Sequence, residues 1–342
     1  MEDVPFVVCH RSSTRRTVIG EIAERLCGEP VLELVAVRAG GNNELFAVST
    51  ASAMFALKRY PAAADDTRER LGHEFDALTF LWAGGERAIP QPIAIDPASA
   101  SALYGWIPGD RPLTFGEGEI AAALAFLARV HAARVRPAAR ALRDAVEACF
   151  DGPALIAQVD TRLARYAAVA DEPALSAFLA GRFIPLWKRI ASGVRAVPAL
   201  VPRDRTLSPS DFGRHNTLVR PDGTPVFLDF EYFGWDDPVK LVADTLWHPG
   251  SAFSAGMRAR IRAEAARIYA ADPAFANRLR VLEPAYAARW ALIVLAEFLP
   301  ERWARRRLAG DPGEWSSAKT AQLGKAERYV ADAEALAAET GS

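Results

Sequence analysis

The stretch Leu207-Ser-Pro-Ser-Asp211-Phe-Gly-Arg-His-Asn216-Thr-Leu-Val-Arg-Pro-Asp-Gly-Thr-Pro-Val-Phe-Leu-Asp229-Phe-Glu231 decides how this chain is read. Pro221-Asp222-Gly223-Thr224 is a turn sequence, because aspartate and glycine tolerate the positive φ of a tight hairpin. With Asp222-Gly223 as the two central residues, residue 216 lies opposite residue 229. Opposed side chains share a face at about 5 Å between Cβ atoms, so this register sets Asn216 beside Asp229. An odd-length loop or a bulge would shift it. Oxygen donors so placed suit Mg²⁺, which keeps waters and takes one or two protein groups plus substrate phosphates. Asp211, five residues before Asn216 and across a loop with Gly213, brings a third oxygen-bearing side chain to the same space.

Outward from this block the chain changes character twice. Thr17–Cys27 has apolar residues at helical spacing. Val31–Val37, Leu45–Thr50 and Met54–Tyr60 read as strands, with Ala-Gly-Gly-Asn-Asn as a turn after the first. Arg68–Ala83 returns to helical spacing, and Pro90–Ile95 and Ala102–Ile107 read as two more short strands. Beyond Pro108-Gly109-Asp110 the chain is alanine- and leucine-rich, with helices expected over Glu119–Ala133, Ala154–Val169, Ala174–Val197, Arg258–Ala271 and Pro284–Leu308. Ser208–Trp235 interrupts them with turns and two short strands. The expected fold is α+β: a small sheet lobe over 1–103, a hinge over 104–110, and a larger, mainly helical lobe over 111–342.

The 342 residues are 51% hydrophobic and 24% charged, which suits a full core and excludes a disordered chain. Lys+Arg is 41 against Asp+Glu 42, and this balance argues against a dedicated nucleic-acid binder. The three cysteines form no CxxC and no disulfide framework. The start has no secretory pattern, and apolar runs such as Ile120–Ala128 are too short to span a bilayer. No membrane partner and a cytoplasmic location are therefore expected.

Asp-x-x-x-x-Asn, a hairpin, and Asp at the end of its second strand resemble the catalytic segment of the aminoglycoside phosphotransferase family and its protein-kinase-like relatives. The resemblance implies a two-lobed kinase-like fold and ATP-dependent phosphoryl transfer to a hydroxyl of a small acceptor. It makes Asp211 the catalytic aspartate, which accepts or orients the acceptor's hydroxyl proton, and Asn216 and Asp229 the ligands of Mg²⁺ on the nucleotide phosphates. The sequence departs from the family in two places. Pro209-Ser210 stands where the family usually has His-Gly, and Phe-Glu rather than Phe-Gly follows Asp229, as is common in small-molecule kinases of this type. A catalytically silent nucleotide-binding module is the alternative that the first departure raises.

A kinase-like reading also requires a lysine on the third strand, paired with a helix glutamate. Lys58 ends that strand, and it is one of only five lysines in an arginine-favouring chain. With Leu71 as origin and about 100° per residue, Glu74 falls at about 300°, inside the apolar arc of Phe75, Leu78, Leu81 and Trp82, whereas Asp76 falls at about 140°. A core-facing carboxylate needs a partner, and Lys58 is the natural one; the alternative is that Glu74 bends out to water. The resemblance further assigns Gly41 and Asn43 to a loop over the phosphates, although an ordinary hairpin turn fits them as well. It assigns Tyr104 and Trp106 to a connector whose backbone meets the adenine edge, although an apolar edge strand fits these too.

Other residues carry plainer expectations. Asp237 with Pro238 reads as a helix N-cap with proline at N1. His131 ends a helix, where its cation would suit the C-terminal dipole. His215 and His248 read as surface or core histidines. Arg302, Arg305, Arg306 and Arg307 read as a solvated helix end, or, if they line an acceptor cleft, as a preference for anionic acceptors.

Overall fold

The computed structural model of the chain describes residues 13–37, 43–60, 69–251, 253–309 and 313–340, without the side chains of 13–16, 305, 308, 309 and 340. Packing divides the chain into two units, Met1–Val146 with Pro209–Gly234, and Glu147–Ser208 with Trp235–Ser342.

In the first unit, β1 (Glu33–Val37), β2 (Glu44–Ser49), β3 (Met54–Arg59), β4 (Pro92–Asp96) and β5 (Ser101–Gly105) form an antiparallel sheet ordered β1-β2-β3-β5-β4. Its strands start and stop within two residues of the expected spans. Period-two alternation gives the sheet two faces. Leu34, Val48, Leu57 and Leu103 point to one, where Ile19, Ile22 and Ala23 of α1 (Ser13–Cys27) close an apolar cluster over them. Fully burying a leucine such as Leu57 or Leu103 stabilises the fold by about 1.5–3 kcal/mol. The other face carries Lys58, directly opposite Leu45 on β2 and Ala102 on β5. Here α2 (Arg70–Ala83) turns Arg70, Glu74, Ala77, Leu78 and Leu81 inward.

Past the sheet the chain runs through Pro108-Gly109, and Asp110 bridges to Val219. Gly109 has φ +151°, and a Cβ there would lie 2.5 Å from the Val219 carbonyl oxygen, so glycine is required by both space and conformation. Next, α3 (Glu117–Ala133) begins with the Glu119 carboxylate accepting from the Gly116 N–H at 2.9 Å. Phe126 on α3 anchors the segment from Pro209 to Gly234. Its ring centroid lies 4.6 Å from that of Phe227, 5.8 Å from Phe212 and 6.2 Å from Phe230.

The hairpin register differs from expectation. Thr217 pairs with Phe227, Leu218 with Val226 and Val219 with Pro225. The loop therefore has five residues, 220–224, closed by the Arg220 N–H on the Thr224 carbonyl at 3.0 Å and the Gly223 N–H on the Arg220 carbonyl at 2.8 Å. The odd length shifts every pair by one. Leu228, whose N–H donates to the Asn216 carbonyl at 2.8 Å, takes the place expected for Asp229.

The second unit is helical. Proline placement explains two of the breaks in its helices. The single helix expected over Ala174–Val197 is Pro173–Phe178, a π turn over Leu179–Phe183, and Ile184–Arg195. Pro185 has no N–H to give a regular α turn and its ring crowds the carbonyl four residues back, and a wide turn accommodates both. The helix expected over Pro284–Leu308 starts earlier, at Phe275, carries Pro284 in its interior and ends at Val294; a new helix, Pro300–Ala309, follows extended Leu299. The residue before a proline is pushed out of the helical region, and proline suits the first helical position. Arg302 and Arg307 there are exposed, and Arg306 pairs with Glu297 at 3.3 Å. The helix Trp315–Thr340 was not expected. It buries Ala326, Val330, Ala333 and Ala337, mostly alanines, which give no apolar contrast in an alanine-rich chain. Asp237 caps the helix Pro238–Trp247 through the Val239 N–H at 2.8 Å and also pairs with Arg278. Among the described residues, no helix is long and apolar enough to cross a membrane.

His131 reverses its expectation. Burial, reinforced by the nearby Arg134 cation, lowers its pKa to about 4, so desolvation outweighs the helix dipole. The folded pKa lies below the unfolded value of about 6.5. The stability this contributes is present above pH 6.5 and is lost as pH falls toward 4. Urea midpoints measured across this window should fall with pH, and His131→Gln should flatten that part of the profile.

Candidate functional site

The site grows from β3. Lys58 ends up on the α2 face of the sheet, and Glu74, one turn into α2, points back at it. The Lys58 Nζ lies 2.6 Å from Glu74 Oε2 and 2.7 Å from Asp229 Oδ1. Glu74 is a junction. Its Oε2 also accepts from the Tyr60 hydroxyl at 2.7 Å, and its Oε1 from the Phe230 N–H at 3.3 Å. The Tyr60 hydroxyl in turn bonds the Tyr104 hydroxyl at 2.9 Å. One carboxylate thus joins β3, α2 and the residue after Asp229.

Burial works against the charged form of Lys58, but the carboxylates of Glu74, Asp229 and Glu231 outweigh it and raise its pKa, so it stays an ammonium. Burial pushes the Glu74 pKa up, against the pull of the Lys58 charge. Tyr60 and Tyr104 are pushed well above the ordinary tyrosine range by burial and by the Glu74 charge, so both remain hydroxyl donors.

Asp229 and Ser210 both adopt left-handed backbone, at φ +66° and +63°. For a non-glycine residue this costs about 1–2 kcal/mol, and aspartate tolerates it better than most. At Asp229 it carries the chain out of the hairpin strand and toward Lys58. At Ser210 it reproduces a conformation that glycine adopts freely, and the Ser210 hydroxyl donates to the Tyr232 carbonyl at 3.1 Å. Each of the two aspartates is followed by a phenylalanine, Phe212 or Phe230, seated against Phe126. Apolar packing therefore fixes where both carboxylates emerge.

Asn216 is buried at the end of a short 3-10 turn, Arg214–Asn216. Its Nδ2 donates to the Asp211 carbonyl at 2.9 Å and approaches the Asp211 carboxylate at 3.4 Å. Its amide nitrogen is committed to Asp211, and its Oδ1 is the atom that could face a cation. No hydrogen bond among the described residues joins Asn216 to Asp229, in keeping with the shifted register.

Gly41 lies outside the described residues. Asn43 is described, and both ends of its amide are engaged: Nδ2 donates to Glu231 Oε2 at 2.8 Å, and Oδ1 accepts from Arg70 at 2.7 Å. That leaves its backbone, not its side chain, for a phosphate. The Tyr104 side chain points to Tyr60 and Phe75, away from any edge of the sheet. The Trp106 N–H donates to the Met54 carbonyl at 3.2 Å and the Gly105 N–H to Gln91 at 2.9 Å, so neither is available to a base.

Carboxylate oxygens of Glu74, Asp229 and Glu231 lie within 4.8 Å of one another. These carboxylates offer oxygen donors, the kind that hard divalent cations prefer, and they fit Mg²⁺. Tyr60 and Arg70 are not among the residues expected at the site, although the sequence carries a signal for both. Tyr60 follows Lys58 by two residues along an extended chain, and Arg70 precedes Glu74 by one helical turn.

The Phosphotransferase enzyme family matches residues 33–278. The chain belongs to this family. The search of curated proteins gave no match. Among solved structures, a spectinomycin phosphotransferase in complex with ADP and spectinomycin aligns at TM-score 0.61 and 11% identity, over 93% of this chain and 98% of its own. A choline kinase from Cryptosporidium parvum aligns at TM-score 0.60 and 13% identity, over 95% and 97%. A macrolide 2'-phosphotransferase from Brachybacterium faecium aligns at TM-score 0.57 and 17% identity, over 87% and 99%. This phosphotransferase thus has the kinase-like fold, a small antiparallel sheet lobe followed by a mostly helical part.

The hydroxyl chain through Glu74 makes a stability prediction. Tyr60→Phe strands the buried Tyr104 hydroxyl and removes one donor to Glu74, and should cost about 1–3 kcal/mol in urea unfolding. Tyr104→Phe should cost less. The double variant should fall short of the sum of the two by about 0.5 kcal/mol or more, because the second substitution removes the group that the first left unpaired.

Proposed function

We propose that this phosphotransferase uses ATP and Mg²⁺ to transfer the γ-phosphoryl group to a hydroxyl of a small molecule. The observation that carries the reading is the buried Lys58 ammonium held by Glu74 at 2.6 Å and Asp229 at 2.7 Å. Lys58 grips the α and β phosphates, and Glu74 orients it. Asn216 and Asp229 are the residues that hold Mg²⁺, whose chemistry when bound is to neutralise phosphate charge. Asp211 accepts a hydrogen bond from the acceptor hydroxyl and aims its oxygen in line. Positioning and charge stabilisation account for catalysis of this kind, without a covalent intermediate on the protein.

In this reading residues 1–103 are the nucleotide lobe, 104–110 the hinge, and 111–342 the helical lobe. Since the N–H groups at Gly105 and Trp106 are engaged, a base lying along the hinge meets the Ile107 N–H or a carbonyl. The acceptor is a sugar, an amino alcohol or an aminoglycoside, in line with the spectinomycin, choline and macrolide enzymes that share the fold. A near-balanced overall charge keeps nucleic acid out of the reading, and ATP supply places it in the cytoplasm. Left-handed Ser210 supports activity over a silent module, because the loop keeps a glycine-like path without His-Gly.

ADP release with MgATP across a panel of sugars, amino alcohols and aminoglycosides tests the reading. At least one acceptor should stimulate release, and Asp211→Asn should lower it by about 100-fold or more. Equal turnover by the variant would remove Asp211 from its role.

A further inference from the structure

The missing His-Gly leaves the loop at Asp211 without its upstream histidine, and the structure holds a histidine on that aspartate from the other side. His215 Nε2 lies 2.9 Å from Asp211 Oδ1. We propose that His215 is a positioning residue for phosphoryl transfer, fixing the Asp211 carboxylate from within the loop. The inference rests on the role given to Asp211 above.

A carboxylate rotates about its last side-chain bond through a broad, two-fold profile, so a single hydrogen bond leaves its orientation loose. Here two nitrogens of the same turn meet the carboxylate. Oδ1 accepts from His215 Nε2, and Oδ2 faces Asn216 Nδ2 at 3.4 Å. Because an ionised aspartate only accepts, the His215 Nε2 carries the proton in this contact. The two nitrogens come from adjacent residues of one turn, which is rigid for local reasons. The Asn216 N–H and the Thr217 hydroxyl both donate to the Gly213 carbonyl, each at 3.0 Å. The Asp211 side chain keeps 34% of its surface exposed and His215 27%, so the pair forms on a partly exposed carboxylate.

The geometry separates this role from plain loop stability. What Asp211 needs from residue 215 is an N–H at the position of Nε2, which glutamine can offer on a side chain of comparable reach and alanine cannot. A reacting group displaced by about 1 Å loses up to about a hundredfold in rate, while binding of a nucleotide elsewhere in the site is untouched.

The experiment compares wild type, Asp211→Asn, His215→Ala and His215→Gln by ADP release from MgATP, with water alone and with the best acceptor of the panel. MgADP affinity by calorimetry and thermal melting are followed on the same samples. His215→Ala should lower kcat by about tenfold to a hundredfold, with the KM for MgATP and the MgADP affinity within about twofold of wild type. His215→Gln should recover most of the loss. A wild-type kcat in His215→Ala beside an inactive Asp211→Asn overturns the inference and leaves the proposed function standing. Equal losses in both His215 variants, or a loss that follows MgADP affinity or melting, also overturn it, since the donor would then not be what matters. Wild type that releases no ADP, or Asp211→Asn that matches wild type, overturns the proposed function and the inference with it.

Discussion

Everything in the first unit is arranged around one buried ammonium. Lys58, Glu74 and Asp229 come from a strand, a helix and a loop far apart in sequence, and the lysine brings all three within 2.7 Å contacts. Removing a charge from water is costly unless partners replace the water, and breaking such a pair by deleting one partner typically costs about 3–5 kcal/mol. The sheet, α2 and the Asp229 loop are therefore not independent elements. Each leaves a buried charge unmatched if another is misplaced. The apolar anchors follow the same logic, since Phe230 packs on Phe126 while its N–H serves Glu74.

Two parts of this arrangement could be read from the sequence and one could not. The angle of Glu74 within the apolar arc of α2 is local and periodic, so one sequence suffices to place it inward. The strands of the small sheet are likewise marked by alternation and turns. The hairpin register is not local in the same sense. It depends on whether the loop holds four or five residues, and Arg220-Pro-Asp-Gly-Thr224 closes as five. A one-residue slip moves a side chain to the other face of a strand, yet Asp229 still reaches Lys58, because its left-handed backbone takes it out of the ladder. The backbone conformation of one residue, not strand register, directs Asp229 to Lys58.

The engagement of Asn43 shows a different limit. The family resemblance, not composition, assigns the Gly-Gly-Asn-Asn turn to phosphate contact. The partners of the Asn43 amide, Glu231 and Arg70, lie 188 and 27 residues away in sequence. Glu231 is the glutamate that departs from Phe-Gly after Asp229, and it ties the loop residue to the start of α2. The sequence marks His215 as a surface or core histidine for the same reason. A lone histidine carries no periodic signal, and its contact with Asp211 appears only once the 3-10 turn brings position 215 back over position 211.

The scarcity of lysine points to Lys58, and the structure shows what scarcity does and does not mark. Lys240 in the second unit is buried more deeply still, its side chain 3% exposed against 13% for Lys58, between Asp236 at 2.8 Å and Asp244 at 3.2 Å, with Arg289 close to Asp244. A rare lysine in this chain therefore marks a compact ammonium held between carboxylates, a geometry that the broader guanidinium fits less well. It does not by itself mark chemistry. The difference lies in the partners. The side chains of Asp236 and Asp244 are 0% and 7% exposed, so the Lys240 triad is sealed and structural. Asp229 keeps 34% of its side chain open beside Lys58. An ammonium whose carboxylate partner still faces solvent can exchange that partner for a ligand's charge, and this opening, not rarity, distinguishes Lys58 from Lys240.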